Sequence, residues 1–210
     1  IFGNRTIKLI LHMFPSKNTE KNLLIILYLN AIYPLGPSLK NYLVQHIKSC
    51  SFLKNQFICE AGEICDRLYF IKKGMVRGYF VSDGIELTTW VDTENEVFTS
   101  ITGFFRNQPC QENIQSLEET YCDYLEYEDY KYCLNNFPEM RQINRILLEE
   151  YYILAEQRVY LARIPNAQKR LAYYMENMKP HIVERIPRKH LASYLAIRPE
   201  TLSRLLKERH

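Results

Sequence analysis

Long apolar runs are missing from this sequence. The longest, Leu23 to Leu29, falls far short of the roughly 20 residues that a membrane-spanning helix requires. No secretory-signal pattern is evident either, so no membrane partner is expected. Metal-ligand patterns are missing too. The six cysteines, Cys50, Cys59, Cys65, Cys110, Cys122 and Cys133, contain no C-x-x-C pair, and no Cys/His group has zinc-finger spacing. They read as reduced residues of a cytoplasmic protein, with no metal and no cofactor expected. There is no Ser-His-Asp set and no paired-carboxylate motif, so an enzyme is not expected. With only 7 Gly and 9 Pro, collagen-like and low-complexity classes are excluded.

What is present is an ordinary globular composition, 47% hydrophobic and 24% charged over 210 residues. That is enough for one large domain, or a medium one with a small companion. The net charge of +3 hides an asymmetry. Residues 1–162 carry 16 basic against 20 acidic side chains, and residues 163–210 carry 11 against 4. A small basic module following a mildly acidic body is a common footprint of a DNA-binding unit, although a solvated basic face would look the same. The chain begins with Ile1, and Met13 is a candidate start.

Residues 20–53 read as helical, interrupted by Pro34, Gly36 and Pro37. Short β-rich runs follow at Gln56–Cys59, Arg67–Lys72, Met75–Val81 and Leu87–Val91, then Ile114–Leu117 and Tyr121–Leu125. Lys73-Gly74 and Ser82-Asp83-Gly84 punctuate them as hairpin turns would, which predicts a small sandwich or barrel. Helix returns at Glu128, and Pro138 suits the first turn of a long helix to about Arg163. Ile143, Leu147, Leu154 and Leu161 form an imperfect heptad seam on it, read as a homodimer interface, with packing on its own domain as the alternative. Asn166 is a fitting N-cap for one more helix, to about Met178.

The C-terminal stretch from Arg188 to Glu208 has the most specific pattern. Pro187 precedes a helix whose Leu191, Ala192 and Leu195 share one face, with small Ala192 where two helices cross. Ala196-Ile197 makes a tight turn, and Pro199 opens a second helix with Leu202, Leu205 and Leu206 inward. Its outward face carries Glu200, Thr201, Ser203, Arg204 and Lys207, the side-chain types that read base edges and hold phosphates. This predicts a helix-turn-helix whose partner is double-stranded DNA.

The order of the pieces resembles the catabolite activator (Crp/Fnr) family of bacterial regulators. The resemblance is carried by Gly62, by Tyr69 to Tyr79 with Gly74 in its turn, and by Arg188 to Lys207. It implies an α+β chain: a β-roll like a cyclic-nucleotide-binding domain over 20–136, a dimerisation helix over 137–164, and a helix-turn-helix unit over 165–210. It further implies that Glu200 and Arg204 read bases and that Arg188 and Lys189 hold the backbone. Pro199 stands where the family usually has Arg. The family's β-hairpin wing is not expected within these residues, since the sequence stops at His210.

The effector region departs from the family pattern. Cyclic-nucleotide binders carry a Gly-Glu-Leu run and then an Arg-Ser/Thr-Ala run. The corresponding places hold Thr99, Ser100 and Ile101, then Gln111, Glu112 and Asn113. The ribose-binding Glu and the phosphate-neutralising Arg are both absent, and Glu112 would repel a phosphate. Losing one partner of a buried charge pair costs about 2–5 kcal/mol, or roughly 30-fold to several thousand-fold in affinity. Usual binding of cyclic AMP or cyclic GMP is therefore not expected, and a cyclic-AMP-responsive regulator is the alternative. The pocket holds an unknown effector or is filled by side chains such as Phe104 and Phe105. The cysteine spacing does not suit the family's iron–sulfur members, and His46 alone does not support haem.

Overall fold

The computed structural model describes residues 23–208. Met13, the first positions of the helical reading and of the 20–136 unit, and the last two residues lie outside them. Two helices, α1 (Leu23–Ile32) and α2 (Pro37–His46), lead into eight strands. The strands are β1 (Lys48–Phe52), β2 (Phe57–Cys59), β3 (Arg67–Lys73), β4 (Met75–Ser82), β5 (Ile85–Thr93), β6 (Val97–Phe98), β7 (Asn113–Ser116) and β8 (Thr120–Glu126). They form two antiparallel four-stranded sheets, ordered β1-β8-β3-β6 and β2-β7-β4-β5. A short helix, α3 (Ile101–Arg106), lies between β6 and β7.

Alternating and β-branched residues put Tyr69, Ile71, Val76, Trp90, Ile114 and Cys122 between the sheets. Two glycines are required there. Gly74 links β3 to β4 at φ +111, where a Cβ would also collide with Thr120. Gly78 pairs with Trp90 across β4 and β5, and a Cβ there would overlap the indole ring. The helical reading of residues 20–53 is corrected at its end. Lys48–Phe52 is a strand, because β8 offers its free edge to it over the full register from Lys48–Tyr124 to Phe52–Thr120. A Lys48–Glu126 ion pair at 2.8 Å closes one end of that pairing.

The chain continues as α4 (Tyr127–Asn136), α5 (Pro138–Arg163), α6 (Ala167–Asn177), a short 3-10 turn (Pro180–Ile182), α7 (Arg188–Tyr194) and α8 (Pro199–Lys207). Proline opens both α5 and α8, where the missing N–H costs nothing. Asn166 caps α6 by accepting from Lys169 N at 3.0 Å. One apolar core joins α1, α2, α4 and the first half of α5 to Phe70 and Leu125 of the sandwich. A second joins Leu161, Leu171, Leu191, Leu195 and Leu202 to Met75, Val91 and Leu117. The C-terminal helices are thus packed directly on the sheet β2-β7-β4-β5.

Candidate functional site: a braced helix pair and a carboxylate-walled cavity

Helices α7 and α8 meet through Ala192, 1% exposed, with Leu191, Leu195 and Leu202 beside it. A larger side chain at Ala192 would hold the helices apart. The turn is held by Ala196 N donating to Ser193 O and Ile197 N donating to Ala192 O, both at 3.0 Å. It places Ala196 at φ 50, a left-handed conformation that costs a non-glycine residue roughly 1–2 kcal/mol. Arg170 of α6 braces it. Its Nη1 donates to Leu195 O at 2.6 Å and to Ala196 O at 2.7 Å, and its Nε donates to Ile164 O at 2.9 Å. A buried guanidinium therefore occupies carbonyls that the helix end leaves without intrahelical partners. Outward, Glu200, Ser203, Arg204 and Lys207 line one shallow surface groove with Pro199 and Glu208. Arg188 and Lys189 are exposed at the start of α7.

Polar contacts fasten this unit to the sandwich. Lys179 Nζ donates to Asp92 at 2.7 Å, to Glu96 at 2.8 Å and to Val91 O at 2.9 Å. Arg185 spans Glu94 and Glu118 at 2.7–3.1 Å. Ser193 Oγ donates to Glu86 O and accepts from Thr88 N, both at 2.9 Å. Beneath that hairpin, buried Arg77 holds Glu86 at 2.6 Å and lies 3.9 Å from the Tyr79 ring centroid. His190 is 5% exposed, and burial next to Arg77 and Lys189 pushes its imidazole down to about 4.

Between the sandwich and α5 lies a cavity of about 710 Å³. Its inner end is apolar, reaching Phe70, Leu125 and Met140. Its other walls bring Trp90, Asp92, Glu96 and Glu112 opposite Tyr151 and Arg158 of α5. Glu112 accepts from Trp90 Nε1 at 2.9 Å and also lies against the Ser100 hydroxyl. Burial pushes its carboxyl above the ordinary range. The same holds for Glu96, where burial outweighs the pull of Lys179. Among the described residues no His/Cys/Asp/Glu group has the geometry to hold a metal ion, and no helix is long and apolar enough to cross a membrane.

Comparison with known proteins follows these same parts. Residues 49–137, β1 through α4, match the family model of the cyclic nucleotide-binding domain. The chain resembles the solved structure of FixK2 from Bradyrhizobium japonicum, with a TM-score of 0.69, 18% identity and coverage of 77% of this chain and 83% of that one. It resembles a CooA variant from Carboxydothermus hydrogenoformans with a TM-score of 0.64 at 17% identity, over 91% and 85% of the two chains. The catabolite activator protein of Thermus thermophilus is similar at 0.53 and 20%, over 86% and 85%. The chain has the Crp/Fnr fold. Comparison with curated proteins finds no match.

On the Crp/Fnr fold the expected effector residues part company. Thr99, Ile101 and Glu112 line the cavity. Ser100 is instead the N-cap of α3, accepting from Gly103 N at 3.4 Å. Gln111 is exposed, and Asn113 Oδ1 accepts from Ala61 N at 3.0 Å, so neither forms the wall. Side chains do not fill the space: Phe104 is buried in the core and Phe105 forms one wall. Asp92, Glu96 and Arg158 were missed, because only folding brings the β5–β6 turn opposite α5. Arg170 was missed because a basic residue on a basic module carries no signal of burial.

The residues of the expected dimer seam face their own chain. Ile143 is 0% exposed in the first core and Leu161 is 2% exposed in the second. Leu147 packs half-buried on the first core and half-buried Leu154 lines the cavity, so the stripe faces its own chain. The helix must bury one apolar stripe on the sandwich before it can offer another. The stripe left open runs through Leu148, Tyr152 and Val159, which are 41%, 65% and 62% exposed. Ala155 and Ala162 complete a 4-3-4-3 spacing along it.

Proposed function

We propose that the chain is a cytoplasmic, homodimeric, DNA-binding transcription regulator whose cavity does not take cyclic AMP or cyclic GMP in the usual way. The observation that carries this reading is the outer face of α8. Glu200 and Arg204 stand exposed on it with Thr201, Ser203 and Lys207 alongside, while its inner face is locked by Leu202, Leu205 and the Arg170 brace. Such a face supports base reading by Glu200, Ser203 and Arg204 in the major groove, with Arg188, Lys189, Thr201 and Lys207 on phosphates. Arg204 sits only 3.9 Å from Glu208 in an exposed pair, which binding can exchange for a guanine at little cost. Dimerisation is assigned to the open stripe Leu148-Tyr152-Val159. In this organisation residues 20–136 sense, 137–164 dimerise and 165–210 bind DNA.

Selection from a random DNA pool tests the reading. Enriched duplexes should carry two half-sites about one helical turn apart. Arg204→Ala should then weaken binding by about 1–3 kcal/mol and relax preference at one base position. Failure to enrich any sequence, or an unchanged affinity for Arg204→Ala, refutes the assignment. Micromolar binding of cyclic AMP by calorimetry overturns the statement about the cavity.

A further inference from the structure

The cavity is short of positive charge. Three buried or half-buried carboxylates, Asp92, Glu96 and Glu112, stand on its wall. Lys179 is shared between Asp92 and Glu96 from behind and does not itself reach the lining. Arg158 is the one cationic side chain that lines the space among the described residues, and its guanidinium lies over the Tyr151 ring, 5.3 Å from the centroid. Two cations thus face three half-buried carboxylates, and the exposed Glu149 and Glu150 also line the space.

The lining also says what would fill it. Glu112 is hydrogen-bonded to the edge of Trp90, and the rings of Trp90, Tyr28 and Tyr151 belong to the same lining. Carboxylates set among aromatic faces receive organic cations, through charge and through the negative face of the ring. An anion would meet repulsion in a low-dielectric space. At about 710 Å³ the cavity falls in the range of small-molecule sites, roughly 300–1,000 Å³. Phe70, Leu125 and Met140 give the lining an apolar part for a hydrocarbon end.

We propose that the cavity binds an apolar organic ammonium ion, with its charged end against Glu112 and Trp90 and its hydrocarbon end toward Phe70 and Leu125. This rests on reading the cavity as the effector site. It deepens that reading, because Asp92 and Glu96 serve both the cavity wall and the Lys179 contact that fastens the DNA-facing helices. An ammonium near these carboxylates weakens their hold on Lys179, which gives occupancy a route to α7 and α8.

Calorimetry on the full chain tests this with 4-phenylbutylamine, its neutral and anionic counterparts 4-phenylbutan-1-ol and 4-phenylbutanoate, and cyclic AMP. The amine should bind at a single site, about tenfold or more tighter than the alcohol, with the two anions weaker still. In Glu112→Gln the amine should fall to within about threefold of the alcohol, whose own affinity stays unchanged. Equal or tighter binding of the alcohol or either anion by the native protein overturns the proposal, as does absence of amine binding. Full amine preference retained in Glu112→Gln also overturns it. If that variant does not fold, the native series alone decides. The effector reading is scored separately by DNA anisotropy with and without saturating amine. Unchanged DNA affinity sinks the effector reading and leaves the ligand class standing, whereas DNA binding without amine binding does the reverse.

Discussion

Removing the guanidinium of Arg170 should loosen the turn between α7 and α8. Arg170 is 9% exposed and gives three hydrogen bonds of 2.6–2.9 Å to the carbonyls of Ile164, Leu195 and Ala196. In Arg170→Ala the carbonyl of fully buried Leu195 loses this donor, whereas exposed Ala196 can turn to water. A buried carbonyl without a donor costs about 1–3 kcal/mol, and the lost packing of the aliphatic stem adds about 1 kcal/mol. The burial cost of the charge is relieved at the same time, so the net loss lies toward the lower part of that sum, about 2–3 kcal/mol. For a chain of this size that corresponds to a midpoint lower by roughly 5–12 °C. Arg170→Lys keeps the charge but cannot span three carbonyls with one ammonium, so it should recover only about half of the loss. Urea unfolding gives the magnitude, and hydrogen exchange locates it, with amides of residues 195–198 losing protection first. A loss below about 0.5 kcal/mol, or protection lost uniformly along the chain, would refute the idea that this side chain holds the turn.

Three further outcomes follow from the packing. Gly78→Ala forces a Cβ into the indole of Trp90 and should cost about 1–3 kcal/mol. The chain has a single Trp, so its fluorescence maximum should shift with that loss, and an unchanged spectrum contradicts the close approach. Val159→Glu should weaken a dimer about tenfold or more in sedimentation while leaving the unfolding of the monomer nearly unchanged. Ile143→Ala should instead cost about 2–4 kcal/mol of stability, and the opposite pattern would restore the inward stripe as the interface. His190 is held neutral with its pKa lowered to about 4. Its unfolded value is near 6.5, so the unfolded chain binds the proton more readily. Stability from this residue is present above pH 6.5 and is lost as pH falls toward 4, by up to about 3 kcal/mol. His190→Gln should remove that slope from the stability–pH curve, and a slope that persists assigns it to other groups.

The parts of the molecule that were legible in the sequence are those whose information is local. Pro187, Ala192, Ile197 and Pro199, with the leucines at helical spacing, specify two crossed helices and a tight turn within about twenty residues, and the helices form where that pattern puts them. Turn chemistry at Lys73-Gly74 and Asp83-Gly84 likewise marked the strand ends, because positive φ restricts the residue types that can stand there. The long helix and its Asn166-capped successor were readable for the same reason. A strand that exists only because another strand is waiting for it was not readable. Lys48–Phe52 has no local signal that outweighs a helix, and its pairing partner lies about seventy residues away.

Sequence by itself therefore determined most of the element types and the polar side chains on the outer face of α8, since both follow from spacing along one stretch of chain. Tertiary structure alone decided which stripe of α5 is covered, because two apolar stripes with nearly equal spacing compete and only packing on the sandwich chooses between them. It also decided the cavity. Asp92, Glu96, Glu112 and Arg158 come from separate elements, and their shared low-dielectric space, which makes their charges matter, exists only once the sheets and the helix close around it.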